Sequence, residues 1–193
     1  MLENLKNYHI ILASNSPRRR ELLTTLGLDF ESKTLSDIDE SFPNDLKGED
    51  IPKHIASKKA AAYRTLVTTN ELVITADTIV YVDGEVLGKP KDETDARRML
   101  HLLSGRSHEV ITGVCILTKE QQQTFAVTTN VTFDSLSDEE VNFYIEKYKP
   151  YDKAGAYGIQ EWIGLVGVTR LEGSYFNVMG LPVQRLYKEL KKI

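Results

Sequence analysis

Short apolar runs alternate with helix-period stretches along the first half of the chain, and two longer β-rich runs fill the middle. Residues 8–13 form an apolar run that predicts the first strand. Ser14-Asn15-Ser16-Pro17 breaks it; Pro17 suits a first helical position with Ser16 as its cap. Leu22, Leu23 and Leu26 give that helix an apolar face, and Gly27 ends it. Residues 30–34 predict a second strand, and the polar, acidic stretch 36–50 a loop. Ile51 and Ile55, followed by an Ala-rich stretch, predict a helix over 49–66. Residues 72–76 predict a strand ending at Asp77, and 79–82 with 85–87 a hairpin around Asp83-Gly84.

Further on, 94–103 reads as a helix ended by Ser104-Gly105. Residues 109–117 and 124–133 predict two long antiparallel neighbours. Ser137 with Glu140 three residues on is a capping box for a helix through Tyr148. Residues 162–171 read as β, and Pro182 opens a last helix with Val183, Leu186, Tyr187 and Leu190 on one face. A strand–helix start and a β-rich middle imply an α/β fold: a mixed parallel and antiparallel central sheet flanked by helices.

The chain of 193 residues allows one compact domain or two small lobes sharing a cleft. A net charge of −4 supplies no general basic field, so no nucleic-acid partner is expected. Cys115 is the only cysteine, which excludes an intrachain disulfide and a multi-cysteine zinc site. The N-terminal stretch holds no apolar run long enough for a signal peptide or membrane span, so a cytoplasmic protein without a membrane partner is expected. His9, His54, His101 and His108 show no metal-ligand spacing, and most are expected at the surface or as caps.

Arg18, Arg19 and Arg20 crowd the first turn of the first helix, the wrong end for positive charge by roughly 0.3–1 kcal/mol each. Free N–H groups at that end, the hydroxyls of Ser14 and Ser16, and guanidinium forks together suit an anion; three arginines pointing into solvent is the alternative. Neither a P-loop nor a dinucleotide fingerprint is present, because the glycines are missing.

Leu12-Ala13-Ser14-Asn15-Ser16-Pro17-Arg18-Arg19 resembles the opening motif of the Maf family of nucleotide pyrophosphatases. Asp39-Glu40, residues 56–60 with Lys59, Thr75-Ala76-Asp77-Thr78-Ile79-Val80, Gly88-Lys89-Pro90, the stretch DKAGAYGIQ over 152–160 and Gly180-Leu181-Pro182 are similar to its further motifs, in order. Thr75 departs from the pattern, where glycine is usual. The resemblance implies one domain over residues 1–193, with two lobes around a cleft of the ITPase/Maf-like kind. It implies metal-dependent hydrolysis of the nucleoside triphosphates dTTP and UTP to the monophosphate and pyrophosphate. Hydrolysis of a modified nucleotide such as methylated GTP, and a nucleotide-binding regulator of cell division, are the alternatives.

Site roles follow by the same resemblance. Asp77 is the proton acceptor that activates water, and Glu40 joins it in binding a divalent cation (Mg, Mn or Co). Lys59 and Lys89 are the catalytic cations, with Lys59 preferred to its neighbour Lys58. Ser14, Arg18, Asp152 and Lys153 contact substrate, and Arg18, Thr78 and Gln160 together select the base. A glutamine both donates and accepts, which suits the edge of uracil or thymine. A homodimer is also implied.

Overall fold

A computed structural model describes residues 2–193. The first apolar run forms β1 (His9–Leu12), and the Ser16 side chain caps α1 (Pro17–Thr25) by accepting the Arg19 backbone N–H. β2 (Glu31–Ser32) is short, and α2 (Asp50–Ala61) follows the acidic loop. β3 (Glu71–Val82) and β4 (Glu85–Leu87) make the expected hairpin; Asp83 and Gly84 supply its left-handed turn, with φ of 50° and 85°. α3 (Glu93–Leu103) is capped by Asp92. β5 (Ser107–Leu117) and β6 (Gln122–Phe133) are long strands, and the Ser137–Glu140 capping box opens α4 (Asp138–Tyr148). The chain ends through α5 (Trp162–Gly167), β7 (Val168–Glu172), α6 (Tyr175–Met179) and α7 (Val183–Leu190).

Strand order is β2-β1-β3-β5-β6-β7, with β4 also on β3. β1 runs parallel to β2 and β3, whereas β3–β4 and β6–β7 are antiparallel, so the sheet is mixed as the element order implies. Among the described residues no helix is long and apolar enough to cross a membrane.

The chain separates into two compact units. One comprises the residues up to Asp77, Thr112–Val127 and Gly180–Ile193; the other comprises Thr78–Ile111 and Thr128–Met179. In the first, Ile11, Ala13, Ala56, Ala60, Val73, Cys115 and Leu117 share a core. α2 presses on this core so closely that a Cβ on Gly113 of β5 would stand 2.3 Å from the Pro52 carbonyl, which leaves room for glycine alone. In the second unit, Val80, Leu87, Leu100, Leu103, Phe133, Tyr144 and Ile163 form the core. Burying each large apolar side chain of this kind contributes roughly 1.5–3 kcal/mol.

Three elements depart from the sequence expectation. β3 does not end at Asp77 but runs through it: Val80–Val82 pair with β4, and the polar Thr75 is accommodated because its hydroxyl donates to the Ala56 carbonyl at 2.7 Å. α2 stops at Ala61, short of residue 66, where buried Tyr63 reaches out of the helical path to donate to the Lys33 carbonyl at 2.8 Å. Residues 162–167 are helical, not β. The Gly164 N–H donates to Glu161 O at 2.9 Å, and Gly164 sits where any Cβ would overlap the Ile159 carbonyl. α7 matches its predicted position, but Glu189 is buried with Leu186 and Leu190, neutralised by Arg185 at 2.6 Å and by Lys192.

Candidate active site

The sequence-selected residues fall into two groups, one in each unit. In the first, Asp77 on β3, Lys59 on α2 and Glu40 in the acidic loop converge. The Lys59 ammonium lies 3.0 Å from Asp77 Oδ1 and 3.0 Å from Glu40 Oε1. Lys59 and Asp77 are each 13% exposed at the side chain, and Glu40 56%, so the cluster opens to solvent on the Glu40 side. The neighbouring Lys58 pairs instead with Asp39 at 2.8 Å; its hydrogen bond, aided by Ser41, holds the Asp39 carboxyl well below the usual range. Helical periodicity explains the split, since consecutive residues on α2 point about 100° apart.

Arg19, which sequence reasoning passed over in favour of Arg18, is the arginine built into this group. Its guanidinium donates to the carbonyls of Gly180 at 2.8 Å and Ala76 at 2.9 Å, and more weakly to Ser14 Oγ at 3.4 Å. Burial lowers the Arg19 pKa from its ordinary value; Asp77 opposes that effect, Arg18 adds to it and Glu40 opposes it. A guanidinium stays charged under such a shift. Arg18 is half-buried, and its charge acts on Arg19. Ser14 is buried, and its Oγ also accepts the Ser16 N–H at 3.2 Å, so it organises the loop entering α1. The only signal for Arg19 in the sequence was membership of the arginine run, because its partners lie 57 and 161 residues away.

Two carboxylates on one ammonium can be no more than about 6 Å apart. Two carboxylates are the donor set a hard cation uses, its remaining ligands coming from phosphate and water. Among the described residues no group of three or more His, Cys, Asp or Glu is placed to hold a metal unaided.

The second group is organised by the 152–160 stretch. Gly155, at φ 67°, donates its N–H to the Gly88 carbonyl at 3.0 Å, which ties this loop to the Gly88-Lys89-Pro90 turn. A Cβ at Gly155 would stand 2.8 Å from Val80 Cγ2. Lys89 and Gln160 are exposed, and Thr78 is half-buried on β3. Lys153 is buried, and its ammonium lies 2.7 Å from Asp152 and 3.1 Å from Glu161. Tyr157 is buried and bonded to His108 Nε2 at 2.7 Å, with both rings edge-on to Phe133. His108 is therefore a core residue, an exception to the surface or capping role expected of most of the histidines. Burial alone lowers its pKa to about 4. Tyr144, Glu161 and His108 were not legible as site neighbours, because each acts through a partner distant in sequence or through a short loop.

The Maf family model, described as Maf-like protein, matches residues 9–193. A protein from Phocaeicola vulgatus is 63% identical over 193 residues, covering 100% of both chains. One from Bacteroides fragilis is 58% identical over 193 residues, again covering 100% of both. One from Flavobacterium psychrophilum is 50% identical over 185 residues, covering 96% of this chain and 94% of its own. All three are named dTTP/UTP pyrophosphatase. Among solved structures, the Staphylococcus aureus Ham1 protein is similar over 65% of this chain and 71% of its own, at 17% identity and a TM-score of 0.48. With a family match across residues 9–193 and relatives sharing half or more of their residues along nearly their whole length, the chain belongs to the Maf family.

Proposed function

We propose that this Maf-family chain hydrolyses dTTP and UTP between the α and β phosphates, releasing nucleoside monophosphate and pyrophosphate. The observation that carries the reading is the Lys59 ammonium shared between Asp77 and Glu40, a compact acid–cation cluster of the kind phosphoanhydride hydrolysis needs. The three relatives named dTTP/UTP pyrophosphatase support the substrate class.

Asp77 takes the proton of the attacking water as its oxygen bonds to the α phosphorus. The bond to the bridging oxygen breaks, and its electron pair leaves with pyrophosphate. Lys59 orients Asp77 through the 3.0 Å contact. Lys89, on an exposed turn, stabilises charge on the leaving group. Asp77 and Glu40 would hold a divalent cation, Mg, Mn or Co, which would supply neutralisation of the phosphate charge. Arg18 contacts phosphate, Gln160 reads the carbonyl–N–H–carbonyl edge of uracil or thymine, and Thr78 shapes the base site. The same reading makes residues 1–193 one catalytic module, acting as a homodimer in the cytoplasm.

The test is turnover of the wild-type protein on all common nucleoside triphosphates and a methylated GTP, with Mg, Mn and Co in turn, products resolved by ion-exchange chromatography. Monophosphate and pyrophosphate from dTTP and UTP are expected. Diphosphate and orthophosphate, a preference for the guanine nucleotide, or binding without turnover would each overturn the reading.

A further inference from the structure

Lys153 and Asp152 look from sequence like substrate contacts, yet the Lys153 ammonium is already enclosed. It is 10% exposed at the side chain and shared by two carboxylates, Asp152 at 2.7 Å and Glu161 at 3.1 Å. Both of its carboxylate partners belong to the same loop, so the ammonium ties that loop to itself. The other oxygen of Glu161 accepts the Tyr144 hydroxyl in a short hydrogen bond, and that hydroxyl in turn accepts the Gly158 backbone N–H at 3.0 Å. Tyr144 is fully buried on α4 and stacks on Tyr148, so this end of the chain of bonds is anchored in a helix.

We propose that Glu161 is a positioning residue. Together with Tyr144 and Lys153 it locks the loop over 152–161 and so fixes how Gln160 presents its amide to the base. This rests on the reading of Gln160 given above.

The loop is clasped at three places by one connected set of polar groups: at Asp152-Lys153, at the Gly158 N–H, and at Glu161 itself. Gln160 lies between the second and third. Packing adds to the clasp. A Cβ on Gly158 would stand 2.9 Å from the Glu161 carboxyl carbon and 3.1 Å from Lys153 Cε, so carboxylate and lysine both lie against the bare loop backbone. Burial, reinforced by Glu161, raises the Tyr144 pKa far above its ordinary value, so the hydroxyl remains a proton donor throughout the working pH range. Without Glu161, Lys153 would be buried with one half-exposed partner and Tyr144 would lose its acceptor. Gln160 would keep its side chain but lose its fixed backbone.

The experiment compares wild type, Tyr144→Phe, Glu161→Gln and the double variant, with Gln160→Ala as the control. Each is assayed for kcat and KM on UTP, dTTP, GTP and ATP, and for amide hydrogen exchange over 152–161 in the intact protein. Tyr144→Phe keeps the ring and removes one hydroxyl. It should lower the pyrimidine-over-purine ratio of kcat/KM by roughly five- to tenfold, the equivalent of one hydrogen bond. The loss should come through KM more than kcat, and the Gly158 and Gln160 amides should exchange faster. The double variant should lose little more than either single one, because the groups act as one unit. A selective loss in Gln160→Ala with unchanged selectivity and exchange in both Tyr144→Phe and Glu161→Gln would overturn the inference and leave the reading of Gln160 standing. Unchanged selectivity in Gln160→Ala would overturn the reading of Gln160, and the positioning role with it.

Discussion

Mild acid should loosen the second unit through His108. The imidazole is 3% exposed, bonded only through Nε2 to Tyr157, and its Nδ1 has no hydrogen-bond partner among the described residues. An imidazolium there would carry two donors, a buried charge and no carboxylate acceptor on either nitrogen. Its pKa falls to about 4, from an ordinary value of about 6.5 that the unfolded chain would restore. Because the folded value is the lower one, the unfolded state binds the extra proton. The contribution is therefore fully present above about pH 6.5 and is lost as the pH falls toward about 4. At roughly 1.4 kcal/mol per pH unit, the full loss is about 3 kcal/mol, a large share of a typical domain's stability. Urea unfolding between about pH 7.5 and about pH 4 measures it, with His108→Phe as the reference. The variant loses the Tyr157 bond and starts less stable, but its stability should fall less steeply across this range than wild type. Parallel pH dependences would refute the argument.

Two further perturbations follow from single contacts. Gly155→Ala places a side chain at φ 67° with its Cβ 2.8 Å from Val80, and should cost roughly 1–3 kcal/mol, read as a Tm several degrees lower; an unchanged Tm would contradict the packing described. Thr75→Val keeps the shape but removes the hydroxyl that bonds Ala56 O at 2.7 Å, so urea unfolding should show a loss of about 1 kcal/mol. Turnover should also fall several-fold as α2, which carries Lys59, loses its tie to β3, and Thr75→Ser should restore it; equal turnover in the valine variant would contradict this.

What the sequence made legible was local. The Ser16 cap, the Ser137–Glu140 capping box and the Asp83-Gly84 hairpin all formed where their residue types place them, since each depends on neighbours within four positions. The convergence of Lys59, Asp77 and Glu40 was reachable only through family resemblance, because no periodicity brings positions 40, 59 and 77 together. Arg19, Tyr144 and His108 were missed for the same reason: their partners lie across the fold, and a buried polar side chain leaves no mark on the pattern along the chain. The α5 error has another origin. Trp162, Ile163 and Val166 have strand-type side chains, but two glycines let the backbone coil, and Leu165 is left 80% exposed.

The most direct test of the account is the rate of UTP and dTTP hydrolysis by Asp77→Asn beside wild type, at saturating substrate and divalent cation, with circular dichroism confirming the fold. The substitution is nearly isosteric and removes the charge that Lys59 contacts at 3.0 Å, the charge that in the proposed reaction accepts the proton of water. The account predicts kcat lower by at least roughly 10²–10⁴-fold, the range for loss of a general base, with the melting curve still cooperative. A folded Asp77→Asn protein that turns over UTP at the wild-type rate would contradict it.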